Sequence, residues 1–341
     1  MKRFWLLFWL PVPLLLLWSL RGLNWRLVGA LLSRLGAPQL TALAVLNLLF
    51  LLVLSLRWGW ILHGLGRHLR CTDLPRLAAW RLAGFAVSYL TPGPQFGGEP
   101  LQVLLAGRRG GISYETGSAS LLLDKSYELA GNFAFLAVGA AAAAALPGLV
   151  PQRLIGLLAA VSLLAFLPAA YLLAITRGFR PLTRLLGLLA KLLRRGGRSG
   201  NLQALAIRVE QAVAGYSRRG VRLTGELLIF FVLVWGLAVA ETMLVLRFLG
   251  LVLSWREVVL VLAAGKLSFL LPIPGALGAL EAAQRLAFTL LDRAPEAAVS
   301  LIVYIRVRDL LLVLAGLGVT AARLRGDRRP PAATRPPESS G

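Results

Sequence analysis

Phe85-Ala-Val-Ser-Tyr-Leu-Thr-Pro-Gly-Pro-Gln-Phe-Gly-Gly-Glu99 and Leu267-Ser-Phe-Leu-Leu-Pro-Ile-Pro-Gly-Ala-Leu-Gly-Ala-Leu-Glu281 decide the fold. Each is an apolar run broken by two prolines and by glycines, with a glutamate near the point where it resumes. Proline removes a backbone donor and pushes the residue before it out of the helical region. Inside lipid such a break survives only where protein or a water-filled cavity satisfies the freed backbone groups. Paired interruptions at corresponding positions of two halves point to a transporter's substrate site. Pro-Gly pairs also make ordinary turns, so two helix–loop junctions at a membrane surface are the competing reading.

The chain around these breaks has the composition of a membrane protein. Of its 341 residues 57% are hydrophobic and 15% charged, against about 25% charged in soluble domains. Mean hydropathy is +0.73. Spanning-length apolar runs cover Phe4–Leu20, Leu40–Leu62, Ser118–Leu146, Leu154–Ile175, Leu227–Leu249 and Ala297–Ala322. Phe4–Leu20 follows Lys2 and Arg3 like a signal peptide, but Arg21-Gly-Leu-Asn-Trp follows it instead of a small-residue cleavage site, so it counts as a span. Alternating ten-residue segments of the barrel type are absent. The expected fold is therefore an all-α polytopic membrane protein. It has about six full spans plus two broken or re-entrant segments, near 77–106 and 258–291, in an arrangement that an inverted repeat would produce. The membrane domain is expected over 1–322 and a disordered basic tail over 323–341.

Net charge is +22. The basic residues lie between apolar runs, which fits cytoplasmic loops on anionic lipid better than nucleic-acid binding. Residues 177–222 hold eleven Arg or Lys and one Glu, and the tail from Arg323 holds five Arg. The N-terminus, residues 177–222 and the tail are expected on the cytoplasmic side of a bacterial-type inner membrane. With that orientation the two broken segments enter from opposite faces, or each crosses fully. Leu202, Leu205, Val209, Val213 and Tyr216 recur at helical spacing and predict an amphipathic helix on the inner surface. Cys71 is the only cysteine, so no intramolecular disulfide forms. His63 and His68 have no acidic cluster beside them, and neither a metal nor another cofactor is expected.

Ionisable groups inside apolar spans are expensive and are functional candidates. Asp124, Lys125 and Glu128 sit early in one span, with Asp124 and Glu128 on one helix face. Glu241 and Lys266 interrupt later runs, Glu281 and Arg285 are spaced to pair, and Arg306, Arg308 and Asp309 sit in the last span. Pro92, Gly97, Gly98, Pro272, Pro274, Gly275 and Gly278 shape the breaks, and helices restarting there would aim their amides at an anion. Glu99 and Glu281 lie near the same restarts, where they would satisfy those amides themselves or meet a cation. No Gly-x-Ser-x-Gly or Walker loop occurs.

Thr91-Pro-Gly-Pro-Gln-Phe-Gly-Gly-Glu-Pro100, Gly107-Arg-Arg-Gly110 and Ser120-Leu-Leu-Leu-Asp-Lys-Ser-Tyr-Glu128 together resemble the lysylphosphatidylglycerol synthase transmembrane family, also called flippase-like integral membrane proteins. Leu271-Pro-Ile-Pro-Gly-Ala-Leu-Gly-Ala-Leu-Glu281 and Arg306-Val-Arg-Asp309 resemble that family's second signature, and the likeness runs over about residues 40–322. The resemblance implies lipid handling: a flippase or transporter for an anionic or phosphate-linked lipid. The alternatives are a membrane enzyme of lipid or glycolipid synthesis, as in hopanoid pathways, and a non-catalytic scaffold of such a pathway. With about 18 residues after the last span, the soluble lysyl-transfer domain of the best-known relatives is not expected, and an enzymatic role is not favoured. Partners that fit are a membrane lipid, a second copy of the chain or lipid-synthesis enzymes. Neutralising Asp124 or Glu128 is expected to cut lipid movement while leaving the fold intact.

Overall fold

The computed structural model describes residues 35–325, apart from 69, 92–96, 147, 149, 193–198, 219–220, 272 and 294, together with Arg26, Ala30 and Ser33. The expected span Phe4–Leu20 and the tail beyond Arg325 lie outside the described residues, as do Pro92 and Pro272.

The described residues form helices and no strands. In order they are α1 (Ala37–Gly64), α2 (Leu74–Leu90), α3 (Glu99–Gly110), α4 (Tyr114–Ala144), α5 (Gln152–Ser162), α6 (Phe166–Thr176), α7 (Pro181–Leu192), α8 (Ser199–Ser217), α9 (Val221–Phe248), α10 (Trp255–Ser268), α11 (Ala279–Leu290) and α12 (Pro295–Arg325). Among the described residues, four stretches are long and apolar enough to cross a membrane: α1, α4, the α5–α6 unit over Gln152–Thr176, and Leu228–Phe248 of α9. The chain is thus a multi-pass, all-α membrane protein. The last expected span, α12, has the length at 31 residues but carries Arg306, Arg308 and Asp309 in its middle.

Both broken segments fold into antiparallel helical hairpins. In the first, a Cβ on Gly98 would stand 1.9 Å from the Gly84 carbonyl oxygen, and one on Gly110 would stand 2.6 Å from the Trp80 ring. So α3 runs back along α2, and Gly98 lets the two backbones touch. In the second, Arg293 reaches Glu257 at 3.0 Å and the Gln284 carboxamide donates to the Val261 carbonyl at 3.2 Å, laying α11 along α10. The four arms hold 17, 12, 14 and 12 residues. At 1.5 Å per residue they measure roughly 18–26 Å, less than a hydrocarbon core of about 30 Å.

The chain therefore repeats a unit of long helix, hairpin and long helix: α1, α2–α3, α4, and then α9, α10–α11, α12. The long helices have 28 and 31 residues in both units. Helix α12 packs on α2 at Gly316, where a Cβ would meet the Leu82 carbonyl oxygen at 2.3 Å. Helices α5–α8 lie between the units in sequence. Ser254 and Glu257 form a reciprocal capping box at the start of α10.

Helix α8 departs from the expected inner-surface helix. Val209, Val213 and Tyr216 are buried against Ile61, Ala119, Leu123 and Ile175 rather than turned to lipid, and the Tyr216 ring fills the space left by Gly64. Of the expected stripe only Leu202 is well exposed. Glu210, the lone acid of the basic stretch, is buried and accepts from the Leu182 amide at 2.7 Å, capping α7.

Candidate functional site

Both repeats line one central cavity of about 760 Å³. Helices α1–α4 contribute Arg57, Arg81, Gln102 and Asp124, among others, and α9–α12 contribute Glu241, Lys266, Gln284 and Arg308. The volume lies in the range of ordinary ligand pockets. Aromatic wall is supplied by Phe85, Phe231 and Trp235, the last stacked on Phe135 with centroids 3.6 Å apart.

Among the described residues, the charged lining other than Lys266 falls into three clusters. Asp124, 3% exposed, receives Arg57 Nε at 2.7 Å and Arg81 Nη2 at 2.9 Å, so one carboxylate holds two guanidinium groups. Lys125 Nζ lies 3.1 Å from Glu128 and 3.6 Å from Glu99, so one ammonium serves two carboxylates. Arg308 bridges Glu241 at 3.2 Å and Asp309 at 2.9 Å, while Glu241 also accepts from Asn47 at 2.9 Å and from the Tyr304 hydroxyl. A charge removed from water costs several kcal/mol, roughly offset when paired and hydrogen-bonded like this.

Lys266 stands apart from the clusters. Its Nζ lies 5.1 Å over the Trp235 ring, and among the described residues it pairs with no carboxylate. Cation–π contact offsets part of the desolvation of an ammonium, less than an ion pair would.

Of the expected site residues, Glu99, Asp124, Lys125, Glu128 and Asp309 line the cavity. Gly97, Gly98, Pro274, Gly275, Gly278, Glu281, Arg285 and Arg306 do not. Several of these build the junction of the two breaks instead. Arg306 on α12 donates to the Gly275 carbonyl at 2.7 Å, to the Tyr89 hydroxyl at 2.9 Å and to Glu281 Oε1 at 2.7 Å. Gly275 has φ 54° and leaves room for the Tyr89 ring, which a Cβ there would meet at 2.9 Å. So one guanidinium joins the last turn of α2 to the second break, and a single arginine satisfies carbonyls that this break frees.

One expectation is corrected here. Glu281 pairs with Arg306, and Arg285 is exposed, because Glu281 turns toward the break rather than along its own helix. At the helix restarts the second of the two expected alternatives is found: Glu99 accepts from the Gly97 amide at 2.8 Å and Glu281 from the Gly278 amide at 2.7 Å. Carboxylates already sit where a phosphate would bind. His63 and His68 stand with ring centroids 5.8 Å apart and outside the cavity lining, and no group of three metal-ligating side chains occurs among the described residues.

The sequence reading missed Arg57, Arg81, Asn47, Gln102, Gln284 and Tyr304 as site residues. Arg57 had a usable signal, a charge inside the apolar run Leu40–Leu62. The neutral groups had none, since one polar residue on a helix does not reveal which way it faces.

A family model described as lysylphosphatidylglycerol synthase TM region matches residues 6–316. No match was found among curated proteins or among solved structures.

Proposed function

Since the chain belongs to the lysylphosphatidylglycerol synthase transmembrane family, a membrane family tied to lipid metabolism or transport, we propose that it carries a phosphate-linked lipid between leaflets. The observation that carries this reading is the central cavity, lined by both repeats and holding Lys266, which has no carboxylate partner among the described residues. An unpaired ammonium in an apolar wall is costly and is kept where it meets a ligand. A lipid phosphate would complete it, with the apolar remainder of the wall taking the first part of the acyl chains.

In this reading the hairpins are re-entrant and dip from opposite faces, with Arg306 joining the end of α2 to the second break. Support comes from arms shorter than the bilayer core and from the matched order of elements in the two units. Clusters on both repeats allow one unit to move against the other without exposing a lone charge. The N-terminus, residues 177–222 and the tail are placed in the cytoplasm by their basic residues.

The reading is tested in vesicles containing the purified protein and a fluorescent phospholipid, with an impermeant quencher reporting the outer leaflet. Wild type should equalise the leaflets, and Lys266→Gln should slow this at least about tenfold, the worth of one charge-assisted hydrogen bond. Equal rates in vesicles with and without protein would remove the transport reading; an unaltered Lys266→Gln rate would remove the lysine from it. Topology has its own check. In a Cys71→Ser background, Gly200→Cys and Ser339→Cys should react with an impermeant maleimide only after the cells are opened. Labelling of either in intact cells would overturn the cytoplasmic assignment.

A further inference from the structure

Each hairpin places one glutamine on the cavity wall in the same way. Gln102 of α3 lies over Gly84 of α2, so close that a Cβ on the glycine would meet its Nε2 at 2.0 Å. Gln284 of α11 lies over Gly265 of α10, with the corresponding distance 2.9 Å. Gln102 is 7% exposed and Gln284 2% exposed. Both Oε1 atoms are buried and have no hydrogen-bond partner among the described residues. A buried acceptor left unmet costs about 1–3 kcal/mol, and the two units carry that cost at equivalent places. Packing alone does not account for it, since leucine would fill the same space without an unmet oxygen.

We propose that Gln102 and Gln284 form a hydroxyl-recognising subsite, and that the lipid carried in this cavity has a sugar or cyclic polyol headgroup. The inference rests on the lipid-carrying reading above and names the headgroup class. An amide oxygen needs a donor, and lipid headgroups offer hydroxyls or ammonium. Ammonium favours carboxylates, because its desolvation needs an opposite charge. The cavity carboxylates Glu99, Glu128, Glu241 and Asp309 are already engaged by Lys125 and Arg308. Neutral hydroxyls match the neutral acceptors that are left. Each glutamine rests its Nε2 on the glycine, and a small rotation about the terminal χ3, a soft torsion in glutamine, brings the Oε1 toward the cavity. The unmet donors Arg57 Nη2 and Arg81 Nε lie on the same wall and suit the oxygens of the linking phosphate. A site built to meet a hydroxyl rejects the analogue lacking it, because its own polar groups are then left unpaired.

The experiment uses the full chain in phosphatidylcholine nanodiscs, with phosphatidylinositol and phosphatidylethanolamine of identical acyl chains as probes, read by native mass spectrometry. Wild type should retain phosphatidylinositol at least about tenfold better. Gln102→Leu and Gln284→Leu should each lose most of that preference, about tenfold for one hydrogen bond to a buried acceptor. Gln284→Glu keeps the shape and adds a charge, so it should shift the preference toward phosphatidylethanolamine, an effect that misfolding does not produce. Equal retention of both lipids by wild type, or an undiminished preference in both leucine variants, would overturn the hydroxyl subsite and leave lipid carriage standing. Retention of neither lipid above the phosphatidylcholine background would also overturn the hydroxyl subsite, whereas equal leaflet rates with and without protein in the quenching assay would overturn lipid carriage.

Discussion

Asp124→Asn should lose most of its folded protein. Asp124 is the one carboxylate between Arg57 and Arg81, all three of them buried. Removing its charge leaves two guanidinium groups facing each other without compensation, and breaking a buried pair in this way costs about 3–5 kcal/mol. That is a large share of the stability of an ordinary domain, about 5–15 kcal/mol. Fluorescence-detected size exclusion and thermal unfolding in detergent measure it. The change should be worse than Glu128→Gln, because Lys125 keeps Glu99 when Glu128 is neutralised. Replacing Arg57, Arg81 and Asp124 together by leucine should recover much of the loss, since an apolar cluster carries no uncompensated charge. An Asp124→Asn protein as heat-stable as wild type would show that the cluster is not holding α1, α2 and α4 together. The result expected from sequence, normal folding with lost transport, is replaced because the structure gives Asp124 two arginine partners.

Gly98→Ala should be nearly as damaging, although it adds one methyl group. That methyl would stand 1.9 Å from the Gly84 carbonyl oxygen, and the atoms it meets are backbone, which cannot rotate aside. The arms of the first hairpin would have to part along their length. Overpacking typically costs about 1–3 kcal/mol, and this site belongs at the upper end. Gly236→Ala in α9 is the control, since a Cβ there meets nothing within 4 Å. It should be neutral or stabilising by up to about 1 kcal/mol, the helix propensity gained. The two variants compared by thermal unfolding separate a packing requirement from a general intolerance of the glycine change. Equal melting temperatures would mean that α2 and α3 do not touch at Gly84.

Some of the site was legible because lipid makes polar groups conspicuous. Asp124, Lys125, Glu128 and Asp309 stand out in apolar runs, and all four reach the cavity. The paired Pro-Gly breaks also marked where the two hairpins turn, and Arg306 joins the second break to the end of α2. The partners within each cluster were not legible. Glu281 is spaced to reach Arg285 along its helix, yet it bonds Arg306 from another element. The stripe ending at Tyr216 has the period of a membrane-surface helix, but its apolar face is covered by α1, α4 and α6. Periodicity reports that a face is apolar, not whether lipid or protein covers it.

Composition, run length and proline placement determined by themselves that the chain is an all-α membrane protein with two interrupted segments. Those properties act locally: an apolar run of twenty residues must hide its backbone polar groups by forming a helix, whatever surrounds it. Only the tertiary structure decided that the interruptions fold as antiparallel hairpins, that Arg57 and Arg81 converge on Asp124, and that Lys266 lines the cavity without a carboxylate partner. Each of these depends on how separate elements pack, and Gly84, Gly98 and Gly316 admit backbone contact at two of the junctions, α2 with α3 and α2 with α12. A glycine in the sequence permits such contact and does not say with what, so the pairing of charges it brings about is set by packing alone.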